Sequence, residues 1–231
     1  MSNLLDIKKL SVSFQTEYET TYAVRDVSIK LRPGEVLGIV GESGAGKSTI
    51  GNAIVNLLEP PGEITTGEVL FKGQDLRNLD DKEMRDVRGK KIGMIFQDPQ
   101  TSLNPLMTIG AQLIETINKT INFYGSEATN KAIELLESVG IDEPEARLNL
   151  YPHQFSGGMR QRVVIALALA GDPDLIIADE PTTALDVSIQ AQILDLIKKL
   201  CQELQVGVII ITHDIGVIAN ISDRVTVMFN G

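Results

Sequence analysis

Residues 41–49 read GESGAGKST, between a short apolar segment at 36–40 and a segment at 50–58 whose apolar residues have helical spacing. This order is typical of a phosphate-binding loop that connects a buried strand to a helix. Glycines let successive backbone N–H groups turn toward phosphate oxygens, and the N-terminal end of the following helix favours an anion. The run therefore predicts a nucleotide-binding protein built on an α/β core.

The positions of this phosphate loop (residues 41–49) have separate expected roles. Lys47 is expected to reach the β- and γ-phosphates of the nucleotide, and the Ser48 hydroxyl is expected to hold Mg²⁺. The other positions that we predict to bind the nucleotide are Gly41, Ser43, Gly44, Ala45, Gly46 and Thr49.

Composition limits the class of the protein. The 231 residues can form one large domain or a core with an inserted subdomain, and 43% of them are hydrophobic. The net charge of -10 argues against a broad basic surface, so we expect no nucleic acid partner. The single cysteine, Cys201, excludes an internal disulfide, and helical spacing places it in the core with four apolar neighbours: Ile193, Ile197, Leu200 and Leu204.

The sequence also carries expectations about location. No apolar run approaches the length of a membrane-spanning helix, and residues 1–6 lack the basic and apolar segments of a signal peptide. We therefore expect the chain in the cytoplasm.

The order of apolar patterns predicts a parallel α/β sheet with a helical insertion. Strands are predicted at 10–14, 27–31, 36–40, 69–71, 92–96, 175–178, 206–211 and 225–229. Helices are predicted at 50–58, 109–123, 126–139 with Ser126 as N-cap, 156–170 and 188–204. We expect residues 1–98 and 173–231 to form the nucleotide-binding core with a β-subdomain, and residues 99–172 to form a helical subdomain.

The last residues show an incomplete pattern. Asn230 and Gly231 follow the strand at 225–229 and form the strongest two-residue signal for a β-hairpin. Because the second strand of that hairpin is absent, we expect this chain to be part of a longer polypeptide whose C-terminal region is missing here.

Two acidic residues follow the apolar strand at 175–178. Ligands of α/β proteins bind at the carboxyl ends of parallel strands, so Asp179 and Glu180 are expected beside the nucleotide. Asp179 would coordinate Mg²⁺, and Glu180 would accept a proton from the attacking water. An apolar strand that ends in Asp-Glu is weak evidence for such a site when taken alone. It becomes strong evidence because the same chain contains a phosphate loop.

A glycine pair opens the predicted helix at 156–170. Ser156, Gly157 and Gly158 place free N–H groups at a helix start, which favours an anion. Taken alone, the segment fits simple capping of the helix by Ser156 equally well.

Six motifs together resemble the ATP-binding cassette of ABC transporters over nearly the whole chain. They occur in the order found in that family: 41–49, Gln97, 156–158, 179–180, 184–186 and His213. The resemblance implies a P-loop core with an N-terminal antiparallel β-subdomain and an inserted α-helical subdomain. It also implies that ATP and Mg²⁺ are the cofactors.

The resemblance further implies a head-to-tail dimer that encloses two ATP molecules. Ser156, Gly157 and Gly158 would then contact the γ-phosphate bound by the partner, and Asp186 would lie at the dimer seam. An aromatic residue before the phosphate loop would stack on adenine; Tyr22 is our prediction, with Tyr18 and Phe14 as alternatives.

Three residues would form the catalytic group in such a cassette. Glu180 would be the general base, and His213 would hold the γ-phosphate and the attacking water in line. Gln97 would contact both Mg²⁺ and that water, and it would link the site to the membrane subunit.

Two segments indicate a subfamily. Residues 96–105, FQDPQTSLNP, and 151–163, YPHQFSGGMRQRV, resemble the oligopeptide, dipeptide and nickel permease ATPases. Met159 and Phe155 stand where the broader family usually has glutamine and leucine, and the methionine is common in this subfamily. The implied protein is an importer ATPase at the cytoplasmic face of the cell membrane. Its partners would be a second ATPase subunit, identical or different, membrane permease subunits and, indirectly, a solute-binding protein.

Two other classes remain as alternatives. A soluble ABC ATPase of DNA repair or translation would need a long coiled coil, a second cassette or several cysteines, and the sequence contains none of these. An ABC exporter ATPase has the same chemistry, and only the subfamily segments argue against it.

Overall fold

The computed structural model describes residues 3–16, 18–183 and 185–231. The strands in these ranges are β1 (Leu5–Gln15), β2 (Thr20–Leu31), β3 (Val36–Gly41), β4 (Gly62–Phe71), β5 (Gln74–Asp75), β6 (Ile92–Ile95), β7 (Leu175–Asp179), β8 (Gly207–Thr212) and β9 (Arg224–Met228). The helices are α1 (Lys47–Ile54), α2 (Asp81–Val87), α3 (Pro99–Ser102), α4 (Ile109–Ile121), α5 (Ser126–Ser138), α6 (Pro144–Arg147), α7 (Gly157–Leu169), α8 (Val187–Leu204) and α9 (Ile215–Ile221).

The strands form two sheets. An antiparallel sheet has the order β2-β1-β4-β5, and a parallel sheet has the order β6-β7-β8-β3-β9. All six residues of β8 are buried, as expected for a strand of a parallel sheet that is covered on both faces. The predicted α/β class with an antiparallel β-sheet is therefore confirmed.

Alternate residues of the parallel strands point into two different hydrophobic clusters. In β3, Val36 and Val40 belong to the cluster formed with the helices, whereas Leu37 and Ile39 belong to the cluster formed with the antiparallel sheet and α1. Because successive side chains of a strand point to opposite faces, one sheet serves both clusters. The carboxyl ends of its strands are thereby fixed between two packed layers.

The segment between β6 and β7 contains only helices, α3 to α7. The Thr108 hydroxyl caps α4 by accepting a hydrogen bond from Ala111 N at 3.2 Å. The hydroxyl of Ser156 caps α7 in the same way, with Met159 N as donor at 3.3 Å. This segment coincides with the predicted helical subdomain, whose exact boundaries at 99 and 172 stay a prediction.

Three local predictions were wrong. Helix α1 begins at Lys47 and ends at Ile54, short of residue 58, because Asn56 adopts a left-handed conformation with φ of 50°. Helix α5 has Gly125 as its N-cap, and the expected cap, Ser126, is its first helical residue. Cys201 is buried as predicted, but Leu204 is 54% exposed because it is the last residue of α8.

The residues after β9 have the backbone angles of a tight turn. The φ angles of Asn230 and Gly231 are 53° and 81°, and a type I′ hairpin turn needs two positive φ angles. The backbone N–H of Arg25 donates to Gly231 O at 2.7 Å, which ties this end to β2.

Candidate nucleotide-binding site

The predicted site residues lie at the carboxyl edge of the parallel sheet. The phosphate loop follows β3, Asp179 ends β7, and His213 follows β8. Strands β3 and β7 both pair with β8, so the three strand ends are brought together. This edge is where α/β proteins bind their ligands.

Glycines at two positions of the phosphate loop allow close backbone contacts. A Cβ on Gly46 would lie 2.0 Å from the carbonyl oxygen of Ala23, and a Cβ on Gly41 would lie 2.3 Å from that of Met228. Gly46 also has a φ of 90°, in the left-handed region that favours glycine. The backbones of the antiparallel sheet and of β9 therefore lie in close contact with the loop, and residues larger than glycine do not fit at positions 41 and 46.

The remaining loop positions differ in exposure. Ser43 and Gly44 lie at the exposed tip, and Gly44 has a φ of 81°. Ala45 is buried, and Thr49 is half-buried in the first turn of α1. The tip is therefore open to a ligand, while the base of the loop is packed.

Lys47 is buried within the loop, with only 5% of its surface exposed. Its Nζ donates hydrogen bonds to the carbonyl oxygens of Gly41 at 2.9 Å and Glu42 at 2.7 Å. The ammonium group is thus held against the loop backbone, where a phosphate group would need a positive charge.

Ser48 and Asp179 come together although they are distant in the sequence. The Ser48 hydroxyl donates to Asp179 Oδ1 at 2.9 Å. Burial raises the pKa of Asp179 above its ordinary value, and the hydrogen bond from Ser48 opposes that rise. A hydroxyl and a carboxylate are the oxygen ligands that Mg²⁺ takes in nucleotide sites, where phosphates and waters complete its shell. The donor set therefore fits Mg²⁺.

The carboxylate of Glu180 is the centre of a hydrogen-bonded network. Its Oε2 accepts from Gln97 Nε2 at 2.9 Å and from the Thr183 hydroxyl at 2.8 Å. Its Oε1 lies 3.1 Å from His213 Nδ1. Burial raises the pKa of Glu180, but the hydrogen bonds from Thr183 and His213 outweigh it, and the pKa lies below its ordinary value. Glu180 is therefore ionised at neutral pH and able to accept a proton.

The backbone of Glu180 is also held in place. Its φ of 48° lies in the left-handed region, and its N–H donates to Ile211 O at 2.8 Å. Such conformations are uncommon outside glycine and cluster at functional sites.

The sequence analysis did not identify Thr183 as part of this network. The sequence signal for this contact was a hydroxyl residue three positions after an acid in a turn. Side chains at this spacing often form hydrogen bonds with each other or with the nearby backbone.

The segment 156–158 stands apart from the phosphate loop. Ser156 is exposed, and within the described ranges no hydrogen bond or ion pair joins this segment to the loop. A Cβ on Gly158 would lie 2.8 Å from Ile189 Cγ2, so this glycine allows α7 to pack closely on α8. Among the described residues, a Cβ on Gly157 would have one neighbour within 4 Å, Leu185 Cδ2 at 3.5 Å.

The motif at 184–186 is described only in part, because Ala184 lies outside the described residues. Asp186 is the N-cap residue of α8, and its carbonyl oxygen accepts from Ile189 N and Gln190 N, both at 2.9 Å. Its side chain makes no capping hydrogen bond and is exposed, as is Val187.

Tyr22 lies on β2 immediately before Ala23, the residue whose carbonyl oxygen packs against Gly46. Its ring is 45% exposed, and the Arg25 guanidinium lies 5.5 Å from the ring centre. Of the alternatives, Tyr18 is 93% exposed, and Phe14 is partly buried against the antiparallel-sheet cluster. Of these three aromatic residues, Tyr22 is the one that directly precedes a residue in contact with the phosphate loop.

Several known proteins are similar to this chain. The family model described as ABC transporter matches residues 24–183. The oligopeptide transport ATP-binding protein OppD of Bacillus subtilis is 56% identical over 100% of this chain and 65% of its own length. The dipeptide transport ATP-binding protein DppD of the same organism is 53% identical over 100% of this chain and 69% of its own length. The chain thus spans about two thirds of the length of these relatives.

Solved structures resemble this fold. The dimeric, post-hydrolysis structure of the ATP-binding cassette MJ0796 with ADP and Pi aligns with a TM-score of 0.85 and 35% identity, covering 98% of this chain and 95% of that one. CbiO1 of Clostridium perfringens, part of the cbiONQ transporter complex, aligns with a TM-score of 0.84 and 27% identity, covering 100% and 86%. The family match, the relatives and these structures confirm the resemblance that the six motifs indicate, and the chain belongs to the ABC transporter family.

Proposed function

We propose that this chain is the ATP-hydrolysing part of an ABC importer that takes up oligopeptides or dipeptides through a membrane permease. The observation that carries the ATPase activity is the Glu180 carboxylate, held by Gln97, Thr183 and His213 at the same sheet edge as the phosphate loop. The names of the two Bacillus relatives support peptides, rather than nickel, as the solute. Neither relative is a DNA-repair, translation or export protein.

In the proposed reaction, the loop N–H groups and Lys47 bind the phosphates of ATP. Glu180 removes a proton from a water molecule, whose oxygen forms a bond to the γ-phosphorus. The bond from that phosphorus to the bridging oxygen breaks, and ADP and phosphate leave. His213 and Gln97 hold the Glu180 carboxylate in place during this step. Mg²⁺, held by Ser48 and Asp179 with Gln97 nearby, would neutralise charge on the phosphate oxygens.

We further propose that the complete site needs a second cassette. The start of α7 at Ser156 is exposed and lies apart from the loop of its own chain. Asp186 and Val187, at the exposed start of α8, are positioned to take part in the same contact. The MJ0796 structure, a dimer with ADP and Pi, supports this arrangement.

A mixture of two inactive variants tests the two-chain site. Ser156→Ala removes a group that serves the partner's nucleotide, and Lys47→Ala removes one that serves the chain's own nucleotide. A mixed dimer keeps one competent site at most, so we expect the equimolar mixture to recover part of the turnover that each variant lacks alone. Steady-state phosphate release against total protein concentration measures this recovery. No recovery at any concentration, or turnover per chain that does not depend on concentration, would contradict the shared site.

The permease would dock near Gln97. Residues 98–107 follow Gln97 directly, and Leu106 in this segment is 86% exposed. Phe96 and Leu57, which line a neighbouring groove, are 44% and 41% exposed. Apolar side chains on a surface of this kind mark a protein interface. A permease loop seated here would reach the catalytic network through Gln97.

We place the chain at the cytoplasmic face of the membrane, held there by the permease. None of the helices in the described ranges is long and apolar enough to cross a bilayer. We also retain Tyr22 as the residue that stacks on adenine, because it adjoins the strand position that contacts Gly46.

The test of the importer function is a tagged pull-down of the full-length protein from detergent-solubilised membranes of its source cell, with mass spectrometry of the co-purifying proteins. We expect a multi-spanning permease, and its companion binding protein can then be assayed for peptides. Recovery of ribosomal or DNA-repair proteins without a permease would contradict the importer function and leave the ATPase chemistry in place.

A further inference from the structure

The turn that follows Glu180 is tied to α8 by hydrogen bonds. Gln190 Nε2, in the first part of α8, donates to Thr182 O and Leu185 O, both at 3.1 Å. Within the turn, Thr183 N donates to Glu180 O at 3.3 Å and Leu185 N donates to Thr182 O at 3.1 Å. Thr182 is itself buried. These contacts fix the backbone around Thr183 to a helix rather than leaving it on a free loop.

The Thr183 hydroxyl makes the shortest of the three contacts to the Glu180 carboxylate. It donates at 2.8 Å, compared with 2.9 Å from Gln97 and 3.1 Å from His213. Gln97 and His213 reach Glu180 from the ends of two other strands, β6 and β8. Thr183 instead belongs to the same turn as Glu180. Its hydrogen bond to the carboxylate therefore does not depend on the position of another strand.

The two carboxylate oxygens of Glu180 differ in their hydrogen-bond partners. A carboxylate oxygen has two lone pairs in its plane, and Oε2 accepts from both Gln97 and Thr183. Within the part of the chain that the structure describes, Oε1 has one hydrogen-bond partner, His213 Nδ1. The arrangement thus leaves a lone pair on Oε1 for the proton of the attacking water.

We infer that Thr183 is a positioning residue for ATP hydrolysis: its hydroxyl, anchored through Gln190 to α8, holds Glu180 Oε2 so that Oε1 is presented to water. The inference rests on the proposed ATPase function and adds a residue to it. Because Thr183 acts on the base and not on the nucleotide, its effect belongs to the rate of hydrolysis and not to the affinity for ATP.

Two substitutions at one position test this role. Thr183→Val keeps the shape of the side chain and removes the hydroxyl, whereas Thr183→Ser keeps the hydroxyl. We expect Thr183→Val to lower kcat about tenfold or more, the size that follows from losing a charge-assisted hydrogen bond to a reacting group. We expect the Kd for ATP to stay within about twofold, and Thr183→Ser to keep about half of the wild-type kcat or more.

A matched control is Thr129→Val on α5. The Thr129 hydroxyl also donates to a nearby oxygen, that of Gly125 at 3.1 Å, but on a helix of the insertion. We expect its kcat and Kd to equal those of the wild type. The readouts are phosphate release at saturating ATP and ATP binding by calorimetry, both on the full-length protein.

A double-mutant cycle with Glu180→Gln shows whether Thr183 acts through Glu180. In single-turnover measurements, Thr183→Val should lower the rate in the wild-type background and have no further effect in the Glu180→Gln background. Equal effects in both backgrounds, a wild-type kcat in Thr183→Val, or a Thr183→Ser variant as slow as Thr183→Val would overturn the inference while ATP hydrolysis by the wild type stands. A wild-type protein that binds ATP without hydrolysing it would overturn the proposed function together with the inference.

Discussion

Replacing Glu180 with glutamine is expected to lower the rate of ATP hydrolysis by about two to four orders of magnitude, the range for removal of a general base. The amide has nearly the same shape as the carboxylate, but it cannot take a proton from water at neutral pH. The substitution also replaces one of the two carboxylate oxygens with an NH₂ group, which cannot accept a hydrogen bond from the partners of that oxygen: Gln97 and Thr183 at Oε2, or His213 at Oε1. ATP affinity should stay close to that of the wild type, because the phosphate loop and Lys47 lie outside this network.

The comparison requires turnover and binding on the same preparations. Phosphate release at saturating ATP gives kcat, and calorimetric titration with ATP gives the Kd. Glu137→Gln, which removes an exposed carboxylate from α5, is the control for the change in net charge and should behave as the wild type. A Glu180→Gln variant that hydrolyses ATP at a near-normal rate would remove Glu180 as the base, whatever its affinity for ATP.

The sequence predicts those parts of the fold where one local pattern determines the structure. The buried strand β3, the phosphate loop and helix α7 with its Ser156 cap follow from apolar runs, glycines and a capping hydroxyl. The pairing of Ser48 with Asp179, 131 residues away, followed instead from combining two motifs with the rule that parallel strands end at one edge. The catalytic roles of these residues stay predictions.

The features that the sequence analysis missed depend on tertiary contacts. Leu204 fits the apolar face of α8 by spacing, yet it becomes exposed because the helix ends there. Gly125 and Ser126 are both acceptable N-caps, and the backbone entering α5 decides between them. Thr183 carries only a general local signal, a hydroxyl three residues after an acid, and its contact with Glu180 depends on the turn that brings the two side chains together.

The two halves of the site differ in how they are built. Lys47 and Gly46 are positioned by packing, since Lys47 is buried and Gly46 lies against the antiparallel sheet. The Glu180 network consists instead of exposed or half-buried side chains joined by hydrogen bonds from three strand ends. We therefore expect nucleotide binding to respond mainly to changes in the packed loop and hydrolysis mainly to changes in the network.

Replacing Lys47 with alanine is expected to have its main effect on binding and to weaken ATP affinity by about ten- to a hundredfold or more. The estimate corresponds to losing hydrogen bonds between an ammonium group and phosphate oxygens, about 1.5–3 kcal/mol for one bond to a charged group. Lys47 now donates to the carbonyl oxygens of Gly41 and Glu42, so the ammonium already lies inside the loop that would surround the phosphates. Its removal leaves the loop N–H groups and the start of α1 as the remaining attraction for the anion.

Two controls separate the loss of charge contact from a general loss of structure. Lys119→Ala removes an exposed lysine of α4 that pairs with Glu115, and it should bind ATP as the wild type does because surface ion pairs contribute little. Ser156→Ala should also keep the affinity of the single chain, since in the proposed two-chain site that serine would serve the nucleotide of the partner. Calorimetric titration of all three variants with ATP, after thermal unfolding has shown that each is folded, gives the comparison. Unchanged affinity in a folded Lys47→Ala protein would contradict the assignment of residues 41–49 as the phosphate loop.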